Sequence, residues 1–144
     1  MGHAWRLTVP GRFERLAQIA EFVTQAAREA GLNDDDVFHV EMAVDEACSN
    51  IIEHAYADRG GEIHLECIAP EPGQLNVIIH DHGRPFDPAG IPEHQLGDTV
   101  SADQMTEGGL GLYFMRKLMD EVRFEFDADQ GNILYMSKRR TGPS

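Results

Sequence analysis

The stretch VFHVEMAVDEACSNIIEHA, residues 37–55, sets apolar side chains at Val37, Val40, Val44, Ala47, Ile51 and Ala55. Spacings of three and four bring these positions to one side of an α-helix, so the segment predicts a helix with one core-facing stripe, ending near Tyr56. Asn33, Asp34 and Asp35 stand just before it as N-cap candidates. Upstream, Phe13, Leu16, Ala20, Val23 and Ala27 form a second stripe of the same period, Gly31 supplies its stop, and residues 5–10 are extended. Downstream the period changes to two. Ile63, Leu65 and Cys67 alternate with Glu62, His64 and Glu66, and Glu71-Pro72-Gly73 returns the chain along residues 75–80. That alternation predicts an antiparallel hairpin with one buried face.

Residues 81–107 carry no period, only turn formers such as Gly83, Pro85, Pro88, Gly90, Pro92 and Gly97 among polar residues. A loop of that length in a compact domain generally serves function. Gly108-Gly109-Leu110-Gly111 then leads into a helical run over 112–119, and alternating segments at Val122/Phe124/Phe126 and 133–138 flank a turn at 127–132. The order strand, helix, helix, two strands, loop, helix, two strands predicts an α+β fold. It is a two-layer sandwich, a mixed and mostly antiparallel sheet with helices on one face. All 144 residues fit a single domain, 1–144.

Twenty-five acidic against twelve basic side chains give a net charge of −13, which disfavours nucleic acid and anionic membrane as partners. No apolar run approaches the ~20 residues of a membrane span, and the N-terminus lacks a signal-peptide core, so the cytoplasm is the expected location. Cys48 and Cys67, without CxxC spacing, read as two reduced core thiols.

Three places could carry chemistry. On the second helix Glu46 and Asn50 stand one turn apart, with Asn50 and His54 on the shoulder of the apolar stripe, held by packing yet able to face a cavity. An amide oxygen is a hard neutral ligand of the kind Mg²⁺ accepts, and a nearby Glu could take a proton from a hydroxyl. A solvated polar face would show the same spacing. Asp81 follows a strand and opens Asp81-His82-Gly83-Arg84-Pro85-Phe86-Asp87-Pro88. Its carboxylate could accept a hydrogen bond from an exocyclic amine such as adenine's while Gly83 admits a flat ring, although an Asp-Gly turn reads alike. Gly109-Leu110-Gly111 at a helix start offers free amides and a positive dipole end, the arrangement that receives phosphate.

Taken in order, E-x-x-x-N on a helix, D-x-G at a strand end, a long loop and G-x-G opening a helix resemble the ATP-binding domain of the GHKL superfamily, the histidine kinase-like ATPase or Bergerat fold. More narrowly, Asp45-Glu46-Ala47, Asn50, His54-Ala55-Tyr56, the Phe86-Asp87-Pro88 ending and Gly109-Leu110-Gly111-Leu112 resemble bacterial anti-sigma factor serine/threonine kinases. The resemblance implies ATP and Mg²⁺ as cofactors, Asn50 as the Mg²⁺ ligand and Glu46 as the base. It further implies Asp81 on the adenine amine, with His54, Gly83, Phe86 and Gly108 to Leu112 around the nucleotide, beneath a lid over 88–107. It implies a homodimer that phosphorylates an anti-sigma factor antagonist and sequesters a sigma factor. Arg12, Arg15 and Arg28, on or near the first helix, would then offer a basic docking patch, although arginines that only solvate the outer helix face would read alike.

Two departures bear on activity. The glycine box carries Pro85 where Gly is common, a variant frequent in the narrower group, and it removes one amide donor. Between Arg84 and Arg116 there is no Lys or Arg, while Glu93, Asp98, Asp103 and Glu107 lie there and His94 is the one substitute cation. A nucleotide-gated binding module without kinase activity is therefore the alternative. A more remote one is a small metallohydrolase built on His80 and His82, with His94 and Asp87 nearby.

Overall fold

The computed structural model describes residues 2–55, 61–83, 109–127 and 129–141. Its sheet has five strands: β1 (His3–Pro10), β2 (Glu62–Ala69), β3 (Gln74–Asp81), β4 (Glu121–Asp127) and β5 (Gly131–Arg139). They lie in the order β1-β2-β3-β5-β4, and every pairing is antiparallel, so the parallel component expected of a mixed sheet is absent among the described strands. The helices are α1 (Leu16–Glu29), α2 (Asp34–Asn50) and α3 (Gly109–Leu118).

Alternation decides which face is covered. Ile63, Leu65 and Cys67 of β2 and Leu75, Val77 and Ile79 of β3 are buried, whereas Glu62, His64, Glu66 and His80 between them are not. Val23, Ala26 and Ala27 of α1, Val40, Val44 and Ala47 of α2 and Met115 of α3 join those strand residues in one core cluster. Each fully buried Val, Leu or Ile contributes roughly 1.5–3 kcal/mol, so this single seam holds the two layers together. Among the described residues no helix is long and apolar enough to cross a membrane.

The corner between α1 and α2 is built from backbone chemistry. Gly31 adopts φ +93°, a left-handed conformation that favours glycine, and ends α1. Beside it the Gly73 N–H of the β2–β3 turn donates to Ala30 O at 2.7 Å, tying the helical corner to the hairpin tip. Asn33 caps α2, its side-chain oxygen accepting the Asp36 N–H at 2.9 Å.

Four details depart from the sequence reading. Phe13 opens a 3₁₀ turn (Phe13–Arg15) and is 50% exposed, because three residues per turn rotate it away from the line of Ile19, Val23 and Ala26. The α-helical part of α2 stops at Asn50 and continues as a π turn, Ile51–Ala55. Gly131 and Asn132 belong to β5 rather than to the preceding turn. The Asp127 carboxylate accepts the Asp129 and Gln130 N–H groups at 2.7 and 3.1 Å, and Gly131 at φ +87° re-enters the ladder opposite Asp127. Phe126, expected to share the buried face with Val122, is 49% exposed near the end of edge strand β4.

Candidate functional site

Cys48 in the second half of α2 and Asp81 at the end of the central strand β3 are both buried. Cys48 lies on α2 between Glu46 and Asn50, and its buried thiol is pushed well above the ordinary range by burial, then by the charges of Asp45 and Asp81. Cys67 is likewise buried and free, its thiol raised to about 12 chiefly by burial. Asp81 thus acts on the Cys48 thiol, which lies on the stretch of α2 that also carries Glu46 and Asn50.

Glu46 and Asn50 are both half-buried and joined by a side-chain hydrogen bond. In that bond the Asn50 amide N–H donates to the carboxylate, since an ionised carboxylate can only accept. Burial raises the Glu46 pKa above 4.5, the neighbouring charges of Asp45 and Glu53 raise it further, and the Asn50 bond opposes them. A carboxylate so tuned accepts a proton more readily than an ordinary surface glutamate. The π turn begins immediately after Asn50, a local winding often found at functional positions. His54 falls in that turn, and its side chain lies outside what the structure describes.

Asp81 closes β3 on the inward face and is 3% exposed. Its Oδ1 accepts the Gly83 N–H at 2.9 Å and the Asn132 side-chain N–H at 3.0 Å. Both donors are uncharged and both bind the same oxygen. The neighbouring strand approaches closely here: a Cβ on Gly131 would lie 2.3 Å from Asp81 O and 3.1 Å from His82 Nδ1, so only glycine allows the pairing. A buried carboxylate fixed by two amides, with glycines on either side, suits recognition of an amine-bearing flat ring. The Asn50 oxygen suits a hard cation, so the donor set fits a Mg²⁺-nucleotide.

Gly109, Leu110 and Gly111 form the first turn of α3, and α3 packs on α2. Lys138 of β5 bridges the other ends of the two helices: its ammonium donates to Leu118 O at 2.6 Å and lies 3.9 Å from Asp36 Oδ1. Since the end of α3 thus meets the start of α2, α3 runs back along α2. Ten residues at ~1.5 Å each carry its first turn about 15 Å, level with Glu46. The glycine turn, Glu46 and Asn50 thus lie toward the same end of the α2–α3 pair. Phe86, Asp87, His94, Gly108 and the lid at 88–107 lie outside the described residues.

Asn132, Gly131, Asp36 and Lys138 were not anticipated from the sequence. Gly131-Asn132 reads locally as a turn, and nothing near Asp81 in the chain announces its partner. On the opposite sheet face the His80 and His82 rings are 4.7 Å apart, but His80 is hydrogen-bonded to Gln130 O. Among the described residues no three His, Cys, Asp or Glu side chains are placed to hold a metal ion, so the metallohydrolase alternative gains no support.

Residues 9–138 match the protein family described as the histidine kinase-like ATPase domain. The serine-protein kinase RsbW of Bacillus licheniformis is 38% identical over 124 residues, spanning 83% of this chain and 76% of its own length. The protein of the same name from Halalkalibacterium halodurans is 34% identical over 134 residues, 92% of this chain and 80% of its own. Among solved structures, the RsbU and RsbW domains of a Mycobacterium tuberculosis protein superimpose with a TM-score of 0.66 at 16% identity, covering 99% of this chain and 34% of that longer one. A blue-light activated histidine kinase domain from Erythrobacter litoralis follows at a TM-score of 0.54 and 18% identity, over 88% of this chain and 59% of its own. At such identities the two superpositions establish the fold.

Proposed function

The chain belongs to the histidine kinase-like ATPase domain family, and on that premise we propose that it is an ATP-dependent protein serine/threonine kinase and anti-sigma factor. Its substrate is a serine or threonine of an anti-sigma factor antagonist, and its second partner is a sigma factor, which it sequesters as a homodimer in the cytoplasm. The observation that carries the nucleotide site is Asp81, buried and held by two neutral amides.

In this reading Asp81 accepts a hydrogen bond from the adenine amine, and Gly83 leaves room for the ring. The amides of Gly109 to Gly111 and the positive end of the α3 dipole receive the phosphates. Asn50 Oδ1 would hold Mg²⁺, whose contribution when bound is to offset phosphate charge in a chain of net charge −13. Glu46 takes the proton of the partner hydroxyl as that oxygen bonds to the γ-phosphorus and the bond to the bridging oxygen of ADP breaks.

The partner surface is proposed around the start of α1. Arg12, Arg15 and Arg28 are exposed, and Phe13 stands half-exposed between the first two, an apolar anchor in a basic setting suited to an acidic partner. The acidic, Lys- and Arg-free lid sequence favours one second reading, a nucleotide-gated binding module that transfers no phosphate.

Calorimetry with ATP tests the site. Binding requires Mg²⁺ and is largely lost in Asn50→Ala; equal affinity in EDTA would refute the assignment. Labelled ATP with an antagonist domain then separates the two readings, because transfer by the parent chain marks a kinase, and binding without transfer marks the module.

A further inference from the structure

The geometry points to Lys138 as a positioning residue that sets the axial register between α2 and α3, and so the distance from the phosphate-binding turn to Asn50. This rests on the nucleotide reading of those two helices. Lys138 sits on the helix-facing side of β5 and is 6% exposed. Burying an ammonium is unfavourable unless it is paired, and this one is committed in two directions. It donates to Leu118 O, the last carbonyl of α3, where the helix dipole is negative. It also faces Asp36 Oδ1 in the first turn of α2.

Asp36 is itself fixed: it is fully buried and accepts the Thr141 N–H at 2.8 Å and the Thr141 hydroxyl at 3.1 Å. The exit of α3 is tied to β5 a second way, since Asp120 N–H donates to Ser137 O and Asp120 Oδ2 accepts the Arg139 N–H. Those bonds stop at the strand. Among the described hydrogen bonds and ion pairs, Lys138 alone continues from the end of α3 to the start of α2. With the far ends pinned together, the lengths of the two helices dictate where the glycine turn lies beside Glu46 and Asn50. If α3 slides by a fraction of a turn, the phosphates move relative to the α2 side chains while the Asp81 subsite stays in place.

The test compares the parent chain, Lys138→Met and the double variant Asp36→Asn/Lys138→Met by thermal unfolding and by calorimetry with Mg²⁺-ATP. Lys138→Met strands the Asp36 charge in the core, so its melting temperature falls. The double variant makes both positions neutral, and its melting temperature returns to that of the parent, as often occurs when a buried ion pair is replaced as a unit. Register loss predicts that the double variant still shows a Kd for Mg²⁺-ATP raised about tenfold or more, because small misplacements of binding groups carry large penalties. A loosened fold would raise the apparent Kd only together with a lowered melting temperature, which the double variant does not show. Recovery of both melting temperature and Kd in the double variant overturns the inference. Should the double variant fail to fold, Lys138→Gln, which keeps a donor but not the charge, supplies the Kd; an unchanged value is equally fatal. A parent chain that binds no ATP refutes the nucleotide reading as well, which separates the two failures.

Discussion

The two ends of α2 are built to opposite ends. At its start Asn33 caps the helix, Asp34, Asp35 and Asp36 complement the positive dipole end, and Asp36 finds Thr141 and Lys138 in the core. The buried charge there, Asp36, meets both an opposite charge and two donors. At its other end the last turn holds no basic residue, and Asp45, Glu46 and Glu53 crowd near the negative dipole end. Their repulsion and the burial of Glu46 raise its pKa, and the helix relaxes into a π turn just beyond Asn50. The contrast teaches that one helix divides its labour: a buried ion pair anchors its start, and like charges are gathered at its other end, where a ligand is proposed to bind.

The sharpest way to break this comparison is Glu46→Gln. It should lower phosphotransfer by about 10²–10⁴-fold while preserving Mg²⁺-ATP affinity, as measured with labelled ATP and an antagonist domain. Undiminished transfer would mean that the acidic end of α2 does no chemistry. At the matched end Asp36→Ala should reduce unfolding free energy by about 3–5 kcal/mol in urea titration, because it leaves a buried ammonium without its carboxylate. A loss below about 1 kcal/mol, the scale of an exposed pair, would erase the difference between the ends.

A smaller effect is expected at the β3–β5 contact that steadies Asp81. Gly131→Ala should cost about 1–3 kcal/mol from strain and crowding and weaken nucleotide binding, since its Cβ would press on Asp81 O. Binding that survives a measured loss of stability would uncouple the strand contact from the site. The smallest effect follows from the raised pKa of Glu46. A carboxyl held above 4.5 in the folded chain binds its proton more tightly there than when unfolded, so its contribution to stability is complete below pH 4.5 and is lost as pH rises through the folded value. Glu46→Gln should accordingly match the parent in acid and exceed it in stability at neutral pH. A parent that is more stable than the variant at pH 7 would mean that Glu46 is a structural asset.

Elements whose signal repeats within a turn or a pleat were legible in the chain itself. The stripe of Val37, Val40, Val44 and Ala47, the alternation at Ile63, Leu65 and Cys67, and the spacing of Glu46 and Asn50 all follow from helix and strand periods that act between near neighbours. Phe13 was misplaced because a 3₁₀ turn shifts the phase, a change that residue types alone do not announce. The packed fold alone settled the partners across distance. Asn132 reaches Asp81 over 51 residues and Thr141 reaches Asp36 over 105, because sheet register and layer packing choose those pairs. Local composition is indifferent to such choices: a Gly-Asn after a turn, or a Lys near the end of a strand, looks the same whether it faces water or a buried carboxylate. Folding makes the distinction by removing water, so that each enclosed charge or amide must find its counterpart in whichever element the topology brings beside it.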